Sequence, residues 1–264
     1  MNAPSQTAGA QVRSELRGRV LLVTLCRDMK RNALNDPAIV ALSDIFAAPP
    51  DEARAAIISA EGDHFSAGLD LTELAERDVA AGIAHSTMWH RAFERIEFGR
   101  VPVISVLKGA VIGGGLELAA ATHIRVAEDT TYYGLPEGQR GIFVGGGGSV
   151  RISRLIGTAR MIDMMLTGRT YDAAEGAAIG LSQYVVPAGT GLTKALELAE
   201  TVADNAPLTN FAVVHALPRI AETDRQSGLV FESLMAAIAQ SDPLAKARMR
   251  SFVEKKASKV KPPR

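Results

Sequence analysis

Two glycine-bearing segments and two glutamates are the residues of this sequence whose types and spacing suit acid–base chemistry. A first glycine run, residues 113–115, precedes an apolar stretch typical of a helix. Glycines at a helix start leave backbone N–H groups without intrahelical partners and let a ligand come close, so they can stabilise a developing oxyanion. The same run also fits a tight strand-to-helix turn without a chemical role.

Glu117 and Glu137 are the candidate acid and base. Glu117 falls in the first turn of the helix, among apolar residues, where burial would raise its pKa into a useful range; the alternative is a favourable place at the positive end of the helix dipole. Glu137 begins a loop that leads to a second glycine run, residues 145–148, and is alternatively a solvated loop charge. The intervening chain is long enough for both carboxylates to face one cavity.

Hairpin and capping signals outline the elements that must position these groups. The apolar runs on either side of Gly18 predict a β-hairpin. Asp36 is the expected N-cap of a helix with Pro37 at its first position. Helices are further predicted to begin at Leu116 and at Ser149.

Strands and helices alternate through the middle of the chain, and only helices are predicted from Gly191 onward. Asp172 with Glu175 forms a capping box, and Gly180 closes that helix. The alternation fits either stacked ββα units or a doubly wound open sheet. We expect a flexible tail over residues 1–11, a core over 12–200 and a helical region over 201–264.

Composition excludes several classes of protein. The 264 residues carry 29 Lys and Arg against 29 Asp and Glu, so no global field attracts nucleic acid or an anionic membrane. The hydrophobic fraction of 47% is that of an ordinary globular protein. The single cysteine, Cys26, cannot form an internal disulfide, and no apolar stretch is long and uncharged enough to span lipid. We expect a cytoplasmic protein.

Common cofactor and nucleophile motifs are missing from the sequence. Neither glycine run has the spacing of a dinucleotide-binding loop or a P-loop, and no nucleophile elbow is present. The histidines show no zinc-type pairing around a glutamate. We therefore expect no metal.

Five segments taken together resemble the enoyl-CoA hydratase/isomerase superfamily, the crotonases. Their order and separation carry the resemblance from about residue 12 to the C-terminal helices. The segments are HFSAGLDL (64–71), KGAVIGGGLELA (108–119), LPEG (135–138), GGGGSVRISRLIG (145–157) and LTGRTYDAAEGAAIGL (166–181). The resemblance implies an α/β fold, a crotonase-like spiral of ββα units with a C-terminal helical trimerisation region, and a homotrimer or homohexamer.

The resemblance also implies an acyl-CoA thioester as substrate, with no separate cofactor because coenzyme A is part of that substrate. The amides of Leu69 and Gly114 would hold the thioester oxygen, and Glu117 and Glu137 match the pair that activates water in hydratases. We expect Glu117 to be the base and Glu137 the acid. The expected substrate-binding residues are Ser66, Ala67, Gly68, Asp70, Gly113, Phe143 and Gly145.

Departures from the family pattern bear on the substrate rather than on the fold. They are Lys108, Gln139, Arg140 and Val144. Arg140 either pairs with a polar acyl group or faces solvent, and Trp89 and Phe93 either line the acyl pocket or belong to the core. The alternatives within the family are an enoyl-CoA isomerase and a thioester or β-diketone hydrolase. Two further alternatives are an RNA-binding relative, which the balanced charge disfavours, and an inactive assembly homologue, which the glutamate pair disfavours.

Overall fold

The computed structural model describes residues 11–73 and 77–254, and it divides into two compact units that meet between Ala203 and Asp204. The strands are β1 (Val12–Arg17), β2 (Val20–Leu25), β3 (Ala55–Ala60), β4 (Val103–Leu107), β5 (Ala110–Ile112), β6 (Ile124–Glu128), β7 (Tyr132–Gly134), β8 (Thr170–Asp172) and β9 (Tyr184–Val186). The helices are α1 (Asp36–Ala47), α2 (Val79–Glu97), α3 (Gly114–Ala120), α4 (Gly148–Ile156), α5 (Thr158–Thr167), α6 (Ala173–Ile179), α7 (Gly191–Asp204), α8 (Pro207–Phe211), α9 (Leu217–Ile220), α10 (Arg225–Ser241) and α11 (Pro243–Val253).

Two sheets build the first unit. The larger has the order β1-β2-β3-β4-β6-β9 and is parallel except for the β1–β2 hairpin, which confirms the hairpin prediction. The smaller has the order β5-β7-β8. Because the chain passes from β4 to β5 and then α3, and from β6 to β7 before α4, the alternation follows ββα units rather than a doubly wound open sheet.

Both faces of the larger sheet are buried. Leu21 and Val23 of β2 point into the main core, whereas Val20 and Leu22 point to the opposite face, which α7 covers. Along α7 the residues that meet the sheet are Ala195, Ala199 and Ala203, whose small side chains let the helix lie close. Double burial explains why these strands are continuous apolar runs without alternation.

Local start and stop signals were predicted with mixed accuracy. The capping box of Asp172 and Glu175 and the left-handed stop at Gly180 are confirmed. The N-cap of α1 was predicted one residue late: the side chain of Asn35 accepts from the N–H of Ala38 at 3.1 Å, so Asp36 is the first helical residue.

The two helices that follow glycine runs begin earlier than predicted. Helix α3 starts at Gly114 rather than Leu116, and α4 starts at Gly148 rather than Ser149. Glycine is a poor former of helix interiors, but tertiary contacts hold these residues in the first helical turn. Consequently the glycine N–H groups themselves are the helix-start donors that lack intrahelical partners.

The C-terminal unit consists of helices. Within it, a π-helical turn (Ala212–Ala216) leads into α9, where Pro218 occupies an early position. Large apolar side chains are exposed along α10, among them Phe231 at 51%. No described helix has the length and hydropathy needed to cross a membrane. The predicted tail over residues 1–11 lies outside the described residues except for Gln11, whose carbonyl accepts from the N–H of Cys26.

The segment after β3 lies against the smaller sheet through backbone contacts. Ser66 exchanges hydrogen bonds with Ala110 and Ile112, which flank its bridge partner Val111. Gly68, at φ +89°, comes so close that a Cβ there would stand 2.6 Å from the carbonyl oxygen of Ile112. This approach needs glycine both for its backbone conformation and for its missing side chain.

Gly68→Ala should therefore lower the free energy of unfolding by about 3 kcal/mol, which combines left-handed strain with overpacking. Gly18→Ala is the matched control, because Gly18 has φ +60° with nothing within 4 Å of the added Cβ; it should lose only about 1 kcal/mol. Denaturant unfolding measures both. Equal losses of unfolding free energy in the two variants would show that the contact between the added Cβ at position 68 and Ile112 has no energetic cost.

Candidate active site

Two backbone amides converge where the segment after β3 meets the start of α3. Leu34 binds the carbonyl of Gly68 and the N–H of Asp70, at 2.7 and 2.8 Å, so the N–H of Leu69 between them points away from Leu34. A Cβ on Gly114 would lie 3.4 Å from the nitrogen of Leu69. The predicted pair of donors, Leu69 and Gly114, thus stands side by side.

Both donors border a cavity of about 320 Å³ in the first unit. The lining combines the amide pair, both glutamates and one side of α2. Its residues are Leu69, Arg77, Gly82, His85, Ser86, Trp89, Gly114, Glu117, Glu137, Ile142, Phe143, Val144, Gly145 and Gly146. Apolar walls with a few polar groups are typical of a small-molecule site.

Glu117 is held by the second glycine run. Its side-chain Oε1 accepts from the N–H groups of Gly146 and Gly148, each at 2.8 Å. A Cβ on Gly148 would come within 2.8 Å of the Cγ of Glu117, so only glycine allows this contact. Burial raises the pKa of Glu117, while the two N–H donors and the charge of Arg151 oppose that rise.

Glu137 is buried with less support. It follows β7 and precedes a short 3-10 turn (Gly138–Arg140). Its Oε1 lies against Gly113, since a Cβ added to that glycine would stand 2.6 Å from this oxygen. Its Oε2 has no hydrogen-bond partner among the residues that the structure describes. Burial, reinforced by the nearby charge of Glu117, raises the pKa of Glu137 to about 7 against an ordinary 4.5.

The two carboxylates are therefore chemically unlike although they face one cavity. Glu117 has donors that favour its charged form and oppose the effect of burial, whereas Glu137 lacks a partner on Oε2 and its pKa is raised to about 7. Such a pair can hold a water molecule, take one proton and deliver another. The amide pair supplies donors for an oxygen that becomes negative during the reaction.

The other predicted substrate residues fall into two groups. Gly113 abuts Glu137, and Phe143 and Gly145 border the cavity, Phe143 as a rim residue that is 70% exposed. Ser66 and Asp70 use their side chains within the protein: Ser66 Oγ donates to the carbonyl of Asn32, and Asp70 pairs with Arg27 at 2.7 Å.

These internal contacts leave the backbone of the 66–70 segment as its route to a ligand. Hydrogen bonds from Thr72 and Arg27 lower the pKa of Asp70 to about 2, which marks it as a structural carboxylate. Gly68 is buried at the crossing described above, and Ala67 is half-buried. A ligand at this edge would meet main-chain atoms and the methyl group of Ala67.

The positions that depart from the family pattern are also located. Val144 lines the cavity, whereas Arg140 is exposed and the amide of Gln139 donates to the carbonyl of Thr167. Trp89 forms part of the cavity wall, and Phe93 is a core residue that contacts it edge to face.

Sequence reasoning missed the polar residues on α2 and just before its start. Arg77, His85 and Ser86 all border the cavity; His85 Nε2 lies 2.8 Å from an Asp36 oxygen, and Ser86 Oγ donates to the carbonyl of Gly145 at 2.6 Å. No motif in the sequence indicates which face of this helix meets the glycine run. Within residues 11–73 and 77–254, no cluster of three or more His, Cys, Asp or Glu is arranged to hold a metal.

Comparison with known proteins identifies the relatives of this arrangement. The model of the enoyl-CoA hydratase/isomerase family matches residues 15–262. The chain is 31% identical over 245 residues to the short-chain-enoyl-CoA hydratase of Clostridium acetobutylicum, covering 92% of this chain and 94% of that protein. It is 32% identical over 247 residues to the 2,3-dehydroadipyl-CoA hydratase of Escherichia coli K12, covering 92% and 95%.

A solved structure shares the fold closely. The crystal structure of a candidate enoyl-CoA hydratase from Rhodopseudomonas palustris CGA009 superposes with a TM-score of 0.91 at 59% sequence identity, and the match covers 96% of this chain and 98% of that one.

The raised pKa of Glu137 makes stability depend on pH. Below about 4.5 the side chain is neutral in both the folded and unfolded states. Between about 4.5 and 7 the unfolded chain loses the proton while the folded state keeps it, so stability falls over this range and levels off above about 7. Glu137→Gln should therefore be more stable than the parent by about 1–3 kcal/mol at pH values above 7, and no more stable near pH 4.

Urea unfolding at the two pH values measures this difference. Glu94→Gln, the same change at an exposed position of α2, should leave stability nearly unchanged at both. A gain for Glu137→Gln that is equal at low and high pH would mean that ionisation is not its cause.

Proposed function

Because the chain belongs to the enoyl-CoA hydratase/isomerase family, we propose that it adds water across the C2–C3 double bond of a 2-enoyl-CoA thioester. The observation that carries the proposal is one cavity bordered by two buried, unlike carboxylates and two adjacent backbone donors. Relatives named as hydratases of enoyl-CoA thioesters support the same reaction.

The thioester oxygen binds to the N–H groups of Leu69 and Gly114. Attack at C3 moves negative charge through C2 onto that oxygen, and donors already fixed there lower the barrier without reorganisation. One such donor contributes about 3 kcal/mol in a comparable oxyanion site. The start of α3 also places the positive end of the helix dipole at the Gly114 donor, where it favours negative charge on the thioester oxygen.

The glutamates divide the proton transfers. Ionised Glu117 accepts a proton from water as the water oxygen bonds to C3, and neutral Glu137 gives its proton to C2. The product is a 3-hydroxyacyl-CoA that has gained one water. After the product leaves, Glu117 gives its proton to bulk water and Glu137 takes one up, which restores the starting pair. The donors on Glu117 support its role as base, and the missing partner on Glu137 supports its role as acid.

The rest of the substrate extends from the same centre. The pantetheine would run along the backbone of the 66–70 segment, with Ala67 on the adenine side, and the acyl chain would meet Trp89, Val144 and Phe143. The reaction needs no separate cofactor, since coenzyme A is part of the substrate.

Assembly and location complete the proposal. The apolar side chains exposed on the C-terminal unit, among them Phe231 and Phe252, support assembly as a homotrimer or homohexamer. The proposed location is the cytoplasm, and the balanced charge of the sequence supports the absence of a nucleic-acid partner.

Mixing the protein with crotonyl-CoA tests the reaction directly. We expect the enoyl-thioester absorbance to fall and the product mass to rise by one water. Glu117→Gln and Glu137→Gln should each lower kcat by about 10²–10⁴-fold with much smaller changes in KM, since each removes a proton-transfer group. Glu94→Gln should keep parental kcat.

The outcomes separate the related enzymes. A product of unchanged mass would identify an isomerase, and release of free coenzyme A would identify a thioester hydrolase. Parental turnover in both glutamate variants would refute the proton-transfer roles.

The pH dependence follows from the acid. Because Glu137 must carry its proton and its pKa is about 7, kcat/KM for hydration should fall as pH rises above about 7. A rate profile in crotonyl-CoA measures this alkaline limb. Constant kcat/KM through that range would exclude Glu137 as the acid.

A further inference from the structure

Arg151 lies behind the second glycine run, outside the cavity. It belongs to the first turn of α4, and its side chain is only 9% exposed. A buried arginine is costly unless its donors are used. The contacts of Arg151 show where those donors go.

The guanidinium joins α2 to the glycine run. Its Nε donates to Oε2 of Glu97 at 2.6 Å, and its Nη1 donates to the carbonyl of Gly146 at 3.0 Å. Gly147, at φ +94°, makes room for this contact, because a Cβ there would stand 2.3 Å from Nη1. The planar fork of arginine can reach both acceptors together, which the single ammonium of lysine cannot do in the same geometry.

Gly146 is thereby held from both sides. Its carbonyl is bound by Arg151, and its N–H donates to Oε1 of Glu117. The path from Glu97 to the catalytic carboxylate is thus a continuous series of hydrogen bonds through one peptide segment. The positive charge of Arg151 also lowers the pKa of Glu117, against the effect of burial.

Other groups packed around Glu117 do not supply this charge. Across the cavity stands Glu137, whose negative charge acts in the opposite direction. From α2 come the rings of Trp89 and Phe93, with His90 exposed beside Gly147. In the described part of the chain, Arg151 is the cation whose field acts on Glu117.

We propose that Arg151 and Glu97 are a positioning pair, which holds the second glycine run on Glu117 and sets the electrostatic field at that carboxylate. The inference rests on the proposed role of Glu117 as base. Arg151 supplies the charge and the geometry, and Glu97 both orients the guanidinium and moderates its charge.

Two charge-removing variants should act in opposite directions. Arg151→Gln removes the cation and should raise the pKa of Glu117 by about one unit. Glu97→Gln keeps an acceptor for Arg151 but removes the counter-charge, so it should lower the pKa of Glu117. A role limited to local packing would not produce opposite shifts.

The readouts are the acidic limb of the kcat–pH profile with crotonyl-CoA and the ¹³C carboxyl resonance of Glu117 in glutamate-labelled protein. The resonance is assigned by its loss in Glu117→Gln. Because the resonance needs no turnover, it tests the pair even if the chain lacks hydratase activity, whereas activity of the parent chain tests the proposed function separately.

Arg151→Lys separates charge from geometry. It should keep the pKa of Glu117 near the parental value while kcat falls by about tenfold with little change in KM, since one of the two hydrogen bonds is lost. If Arg151→Gln does not fold, Glu97→Gln and Arg151→Lys carry the test. Shifts in the same direction, or no shift in Glu97→Gln, would overturn the proposal.

Discussion

Backbone N–H groups reach a ligand or a carboxylate only where no side chain stands between them, and the first unit is organised around this constraint. At Gly68 and Gly148 an added Cβ would come within 2.6–2.8 Å of another residue's atoms. Because these side chains are absent, the segment after β3 and the start of α3 come together at the amide pair, and the second glycine run reaches Glu117. Helix starts provide the unpaired donors, so glycines at helix starts serve both requirements.

The two carboxylates show how one cavity creates unlike acids from the same side chain. Both glutamates are removed from water, which favours their neutral forms. The difference comes from backbone donors: Glu117 receives two, and Oε2 of Glu137 receives none from the described residues. Because the charge of one raises the pKa of the other, the pair titrates as a coupled unit.

Local sequence signals predicted much of the fold. They could not predict the contacts between segments that are distant in the sequence. The hairpin around Gly18 and the capping box at Asp172 depend on a few neighbouring residues, and both were predicted. Helix α3 was placed two residues late because glycine disfavours helix when judged by propensity alone. Glu117 was a candidate because a carboxylate in an apolar context is conspicuous, and the structure places both Glu117 and Glu137 at the cavity.

The contacts that could not be predicted from the sequence depend on side-chain direction. Nothing in the sequence indicates that Asp70 forms an ion pair with Arg27, or that His85 lies on the cavity side of α2. Arg151 likewise reads as an ordinary surface residue of an amphipathic helix. Its importance follows from the glycine run in front of it, which only the fold brings within reach.

The contacts that fasten helix α2 include those of His85 with Asp36 of α1, of Ser86 with the carbonyl of Gly145, and of Glu97 with Arg151 of α4. Two of these ties end on or beside the loop that holds Glu117. We therefore expect the wall of the cavity and the loop that holds Glu117 to open together in local unfolding. Amide hydrogens of both would then exchange with solvent through one shared opening, and loosening the wall would disturb the acid–base geometry.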